Sequence, residues 1–172
     1  MRTDLLGITL RPERPEDEVF RFELYASTRQ EELDAWGWAP GLRASFLELQ
    51  FKAQQACRLQ FPQADFQMVL LAGRAIGRLV VDRAADEFRL VDIALLPQHQ
   101  NTGLGTALIQ ELMAEAAAAG KPLRLTVLKG HRAARLYQRL GFAKTGESDL
   151  HEQMEWLAGS RMLDWPGKST PG

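Results

Sequence analysis

Residues 88–128 read as strand, glycine-bearing turn, helix and strand, and this order constrains the chain more than any other feature. Two strands joined through a helix lie parallel in one sheet, with a right-handed crossover between them. The apolar runs at residues 66–72, 75–81 and 88–96 are separated only by Gly73-Arg74 and by Arg83-Ala84-Ala85-Asp86. Spacers that short suit hairpins, so these three strands are expected to form an antiparallel meander. A sheet that is mostly antiparallel, with one parallel pair, is the expected frame.

The remaining elements fit around it. Residues 8–12 form a first strand closed by Pro12. Pro15, followed by Glu16, Asp17 and Glu18, suits a helix N-terminus. Val19, Phe22, Tyr25 and Ala26 keep a helical period, which two glycines and a proline interrupt at residues 35–41. A second helix places Leu42, Phe46, Leu49, Ala53, Ala56 and Leu59 on one face and ends before Pro62. From Gly103 the spacing of Leu104, Ala107, Leu108, Leu112 and Ala116 is helical, up to Gly120 and Pro122. Residues 123–128 form a strand, and residues 132–140 a short helix with Ala133, Leu136, Tyr137 and Leu140 aligned, capped by Gly141. Two weaker strands follow near residues 142–145 and 153–157. The expected order is β-α-α-β-β-β-α-β-α-β-β, about seven strands and four helices. Residues 1–158 are read as one domain and residues 159–172, with three glycines and two prolines, as a loose tail. In the fourth strand the apolar parity changes from Phe88 and Leu90 to Val91, Ile93 and Leu95. A β-bulge and a strand buried on both faces explain it equally well.

Composition narrows the partners. The net charge is −1, from 21 basic and 22 acidic residues, so no basic field holds a nucleic acid. One cysteine, Cys57, excludes an internal disulfide and leaves no metal spacing; it reads as a small buried residue. The first residues lack the apolar run of a signal peptide, and no stretch approaches the roughly 18 apolar residues that span a bilayer. A soluble, cytoplasmic protein without metal or membrane partners is expected.

The turn inside the crossover carries the functional signal. It runs Leu95-Leu96-Pro97-Gln98-His99-Gln100-Asn101-Thr102-Gly103-Leu104-Gly105-Thr106. Gly103 and Gly105 bare the backbone where the helix begins, and amides there have no intrahelical partner and carry the positive end of the helix dipole. A diphosphate suits that geometry; a plain glycine turn is the competing reading. The dinucleotide fingerprint fails because Leu108 stands where a third small residue belongs, and the Lys-Ser/Thr pair of the P-loop is missing.

The segment Gln100-x-x-Gly103-x-Gly105, three residues after Pro97, resembles the hallmark of the GNAT superfamily of acyl-CoA N-acyltransferases. A second family segment follows in register: Leu125-Thr126-Val127, Ala133, then Leu136-Tyr137-Gln138-Arg139-Leu140-Gly141-Phe142. The resemblance covers about residues 8–157. It implies the GNAT fold, an α/β mixed sheet whose parallel fourth and fifth strands splay apart. It implies acetyl-CoA as cofactor, with the pantetheine arm pairing along Ile93, Ala94 and Leu95. The diphosphate would then rest on the amides of Gln100, Asn101, Thr102, Gly103, Leu104, Gly105 and Thr106. Where the family often carries an asparagine contacting the cofactor, this chain has Gly130-His131. His131 either substitutes for it or only starts a helix.

The chemistry so implied is direct attack of an amine on the thioester, needing a neutral amine, an oxyanion donor and an acid for the leaving thiolate. The backbone amide near Leu95 is the candidate donor. Tyr137 matches the family's frequent tyrosine acid, against the reading of a core partner for Ala133. Asp92, the only ionisable residue in the apolar stretch 90–96, is either a base or a salt-bridge partner. Glu87, His99 and His151 are lesser base candidates. Trp36 and Trp38 flank Gly37 and either cap an amine-bearing substrate or plug the edge of the core; Glu31, Glu32 and Asp34 nearby favour a cationic substrate or form a solvated face. The expected activity is N-acetylation of a small-molecule or peptide amine. A non-catalytic acyl-CoA-binding sensor is the alternative, and an edge strand near the C-terminus leaves a homodimer open.

Overall fold

A computed structural model describes residues 7–159 of the chain. The tail read at residues 159–172 lies outside them from residue 160 onward, as do the first six residues and the side chains of Glu31, Glu32 and Cys57. The elements run β1 (Ile8–Pro12), a 3-10 turn (Pro15–Asp17), α1 (Glu18–Trp36), α2 (Pro40–Gln55), α3 (Cys57–Gln60), β2 (Asp65–Leu71), β3 (Arg74–Arg83) and β4 (Phe88–Leu95). A second 3-10 turn (Pro97–His99), α4 (Leu104–Ala119), β5 (Leu123–Leu128), α5 (Ala133–Arg139), β6 (Ala143–Glu147) and β7 (His151–Trp156) follow. The strands are hydrogen-bonded in the order β1-β2-β3-β4-β5-β7-β6, a seven-stranded mixed sheet. The β4–β5 pair is parallel, as the crossover requires, while β1–β2, β2–β3, β5–β7 and β6–β7 are antiparallel. No described helix is long and apolar enough to cross a membrane.

Two compact units divide the chain: residues 1–82 with 92–105, and residues 83–91 with 106–172. In the first, β1 leads into α1 through a polar corner. Arg11 sends both guanidinium prongs to Asp17 at 2.8 Å each, and the Arg14 amide donates to the same carboxylate at 2.8 Å. The Arg11 hydrogen bond, helped by that amide, holds the Asp17 carboxyl below the usual aspartate range against the cost of burial. Leu24 and Leu33 of α1 and Phe51 of α2 are buried, as are Met68, Val69 and Val80 of the meander.

The helical faces differ from expectation here. Val19, Leu42, Leu49 and Leu59, read as members of apolar faces, are exposed. The inward face of α2 is instead Arg43, Phe46, Leu47, Gln50 and Phe51, rotated by about one residue. Its inner polar residues hide the true period, and the scattered leucines supply a false one. The second helix also breaks: the Ala56 amide donates to both Ala53 and Gln54 carbonyls, ending α2 before the four-residue α3 begins. The described residues thus hold five α-helices rather than four. No glycine or proline marks that break, so the sequence pattern runs through it.

In the second unit the β4–β5 ladder pairs Phe88, Arg89 and Leu90 with Leu123, Arg124 and Leu125. α4 buries Leu108, Ile109, Leu112 and Ala116, with the phase read from the sequence. Met154 and Phe142 complete this core.

One glycine sets how the first unit's strands approach. Ile76 is the extra residue of a bulge in β3, where Gly77 pairs with Val69 and Ala75 with Leu70. The Leu96 amide donates to the Ile76 carbonyl at 2.9 Å. A methyl group on Gly77 would strike the Ala94 carbonyl and stand 2.6 Å from Leu95 Cδ2. Only a residue without Cβ admits β4 this close. Gly77→Ala should therefore cost about 1–3 kcal/mol, the range for overpacking a fitted site. Thermal unfolding of the purified variant checks it, and an unchanged Tm contradicts the packing described.

Candidate active site

The end of β4 and the turn after it form one clasped unit. The Gln100 side chain donates Nε2 to the Leu95 carbonyl at 2.9 Å, joining the two ends of the turn. The His99 amide donates to Leu96, the Gln100 amide to Pro97, and Thr102 Oγ1 to the His99 carbonyl at 2.7 Å. Pro97 opens the 3-10 turn that makes this possible. Beyond it Asn101 (φ +57°) and Gly103 (φ +86°) adopt left-handed backbone and reverse the chain into α4. Asn101, Thr102 and Gly103 are exposed, whereas Leu104 is buried and anchors the first turn of the helix. Nothing stands within 4 Å of where a Cβ on Gly103 would lie, and a Cβ on Gly105 would meet only Leu95 Cδ1, at 3.7 Å. The amides of a helix's first turn have no intrahelical carbonyl and carry partial positive charge. An exposed turn without side-chain bulk at that place has the shape and charge that suit a diphosphate, and within it the Gln100 amide donates to the Pro97 carbonyl.

Asp92 lies on β4, three residues before Leu95. Its Oδ2 accepts Arg78 Nη1 at 3.2 Å, and Arg78 Nε donates to Glu13 Oε1 at 2.5 Å. Although 31% of the Asp92 side chain is exposed, protein crowds the carboxyl from the other directions. That desolvation pushes its pKa up from the ordinary aspartate value, against the pull of Arg78 and a hydrogen bond from the Ile93 amide. Asp92 is thus paired, as the salt-bridge reading expects, through a contact of 3.2 Å, and its proton affinity is raised. The partners Glu13 and Arg78 were missed from sequence. Arg78 had a signal, as the sole charge within residues 75–81, the same oddity that singled out Asp92.

Trp36 and Trp38 bracket the α1–α2 corner, 5.0 Å apart between ring centres, and both meet Phe46 of α2 edge-on at 5.7 and 5.2 Å. Arg29 lies over Phe46 at 5.7 Å. Asp34, counted among the acidic neighbours, is paired with Arg43 at 2.8 Å. The tryptophans are thus held by the corner rather than standing on an open loop.

His131 and Tyr137 belong to the second unit. His131 Nδ1 accepts the Ala133 amide at 3.1 Å, so one ring nitrogen caps α5. Tyr137 is buried and packs edge-on against Phe142, 5.6 Å between centres. Its carbonyl accepts the Phe142 amide at 3.0 Å, which fixes the end of α5. Of the lesser base candidates, Glu87 pairs with Arg124 at 3.1 Å and Arg89 at 3.6 Å. The His99 carbonyl serves the turn, and the His151 amide accompanies the strand start by donating to Ser148 Oγ at 3.2 Å. Among the described residues, no group of three or more His, Cys, Asp or Glu could hold a metal ion.

Residues 64–144 match the family model described as acetyltransferase (GNAT) domain. Among solved structures, the chain is similar to the PaiA N-acetyltransferase of Thermoplasma acidophilum in complex with coenzyme A. The two are 18% identical with a TM-score of 0.66, over 87% of this chain and 98% of that one. An acetyltransferase from Thermus thermophilus is 17% identical with a TM-score of 0.63, over 88% and 97%. A GNAT family acetyltransferase from Elizabethkingia anophelis with acetyl-CoA bound is 15% identical with a TM-score of 0.55, over 88% and 98%. Searching curated proteins by sequence finds no match.

The two glycines of the turn should behave differently in the ligand-free protein. Gly103→Ala places a Cβ at φ +86° and should cost about 1–2 kcal/mol. Gly105→Ala meets only ordinary contact within a helix and should leave stability equal or slightly raised, by up to about 1 kcal/mol. Chemical denaturation of both variants checks the contrast; equal losses contradict the backbone geometry.

Proposed function

We propose, from the match of residues 64–144 to the GNAT acetyltransferase domain, that this chain transfers an acetyl group from acetyl-CoA to a primary amine by direct attack. The observation that carries the reading is the exposed turn at Asn101, Thr102 and Gly103, opening α4 beside a β4 end held by Gln100. Coenzyme A in the Thermoplasma structure and acetyl-CoA in the Elizabethkingia structure support the same cofactor here. The amides from Asn101 to Thr106 would take the diphosphate, and the backbone of Ile93, Ala94 and Leu95 the pantetheine arm. The remaining ring nitrogen of His131 is a further contact for the cofactor.

Acetyl-CoA supplies the activated carbonyl. The protein's part is to present a neutral amine, bind the charge growing on the carbonyl oxygen and protonate the departing sulfur. The Leu95 amide is the proposed oxyanion donor. Asp92 is the proposed base, directly or through water. An acceptor with the pKa of lysine, about 10.4, costs about 4 kcal/mol to deprotonate near pH 7.4, whereas an α-amino group costs under about 1. The raised proton affinity of Asp92 suits either. Tyr137 is the proposed acid: a free phenol, with a reference pKa of about 10, is protonated at neutral pH, and Tyr137 would pass that proton to the departing sulfur. Trp36 and Trp38 are proposed to border the acceptor through their aromatic faces. Cytoplasmic location and one catalytic domain complete the proposal.

Tyr137→Phe should lower turnover more than tenfold while leaving coenzyme A affinity intact; thiol release and calorimetry measure the two. Unchanged turnover would assign the ring to packing alone. Gly105→Ala should weaken coenzyme A binding at least tenfold despite its neutral stability, because its methyl group intrudes where the backbone meets phosphate. Binding without thiol release, across polyamines, aminoglycosides, amino acids and peptides, would instead favour a cofactor sensor.

A further inference from the structure

Glu13 is a carboxylate with only 3% of its side chain exposed, faced by arginines from three other elements. Arg78 of β3 donates Nε to its Oε1 at 2.5 Å, Arg58 of α3 donates to its Oε2, and Arg21 of α1 holds Nη1 3.8 Å from the same Oε2. Arg78, itself 10% exposed, reaches Asp92 with one N–H at 3.2 Å. Phe66 lies under both Arg58 and Arg78, at 4.1 and 5.5 Å from the ring centre. Arg78 therefore bridges two carboxylates and gives the shorter bond to Glu13.

We propose that Glu13 is a positioning residue for the reaction: by anchoring Arg78 through Nε, it sets the guanidinium where Nη1 reaches Asp92 in one long contact, and so keeps that carboxylate available to take a proton from the acceptor's ammonium. This rests on the base role proposed for Asp92. A bidentate arginine pair is short, charge-assisted and favours the ionised carboxylate, which makes a poor proton acceptor. With Nε anchored at 2.5 Å on Glu13, the rigid guanidinium plane is fixed, and it meets Asp92 through Nη1 at 3.2 Å. Among the described residues, the charges around this pair are Arg78 from β3, Arg21 from α1 and Arg58 from α3, while Arg11 is engaged with Asp17. Burial raises the Asp92 pKa, Arg78 lowers it and the Glu13 charge raises it. Neutralising Glu13 removes that repulsion and frees Arg78, and both changes lower the Asp92 midpoint. Removing Arg58, which competes for Glu13 from a side chain 43% exposed, acts the other way.

The test is a carboxyl-carbon NMR titration of Asp92 in the full-length protein, assigned with Asp92→Asn, beside the pH profile of kcat/KM. In Glu13→Gln the midpoint should fall by about one unit, a tenfold loss of proton affinity, and the acidic limb of kcat/KM should follow it. In Arg58→Gln both should rise. Opposite shifts from two variants of one cluster are not what loosened packing produces. If Glu13→Gln does not fold, the peripheral Arg58→Gln decides alone, and an unchanged or lowered midpoint overturns the proposal. A fixed Asp92 midpoint in Glu13→Gln overturns the grip of Glu13 itself. A midpoint that moves while the acidic limb stays put overturns Asp92 as the base, and with it the catalytic role of Glu13.

Discussion

A single side-chain hydrogen bond, Gln100 Nε2 to the Leu95 carbonyl, ties the end of β4 to the turn that opens α4. The carbonyl so engaged ends the strand, and the turn it closes brings Gly103 to the surface and Gly105 into the half-buried first turn of the helix. On the strand's other side Gly77 admits the Ala94 carbonyl to van der Waals range of β3. Backbone at residues 94–96 is therefore held by contacts from both directions, through Gly77, Ile76 and Gln100. A site that works through main-chain amides needs such restraint, because amides positioned in advance stabilise charge without reorganising. The functional claim depends on it.

Asp92 of the same strand joins a costly polar arrangement with Arg78 of β3 and Glu13. Burying Glu13 and most of Arg78 in the first unit sacrifices hydration that pairing alone rarely restores, so such networks are weak evidence for stability. Their presence is easier to explain by what they do to Asp92. Desolvation alone would keep a carboxyl protonated, and full pairing would keep it ionised. The loose contact at 3.2 Å leaves it between those limits. The Arg11–Asp17 pair shows the contrasting case: two prongs at 2.8 Å and a carboxyl held low.

Legibility in the sequence followed how local each signal was. β1 and β5 were read to the residue, because proline and short apolar runs delimit them. The crossover and the turn were legible because Pro97, Gly103 and Gly105 punctuate consecutive elements of different period. The inward faces of α1 and α2 were not, since both helices half-bury polar residues such as Arg21 and Gln50 while exposing Val19 and Leu49. A period count assumes that apolar means inward, and here tertiary context overrides it. The charge cluster failed for another reason: Glu13 and Arg78 are 65 residues apart, and sheet topology rather than sequence brings them to 2.5 Å. His131 had two readings, and its cap on Ala133 engages one nitrogen without deciding the other.

The most direct measurement is an amide NMR titration of the labelled protein with coenzyme A and, in parallel, with pantetheine, which lacks the diphosphate. The account predicts that coenzyme A shifts the amides of Gly103, Leu104, Gly105 and Thr106 strongly downfield, and that pantetheine leaves those four nearly unmoved. Coenzyme A that produces no response at these amides, or pantetheine that reproduces it, would contradict the account at its root.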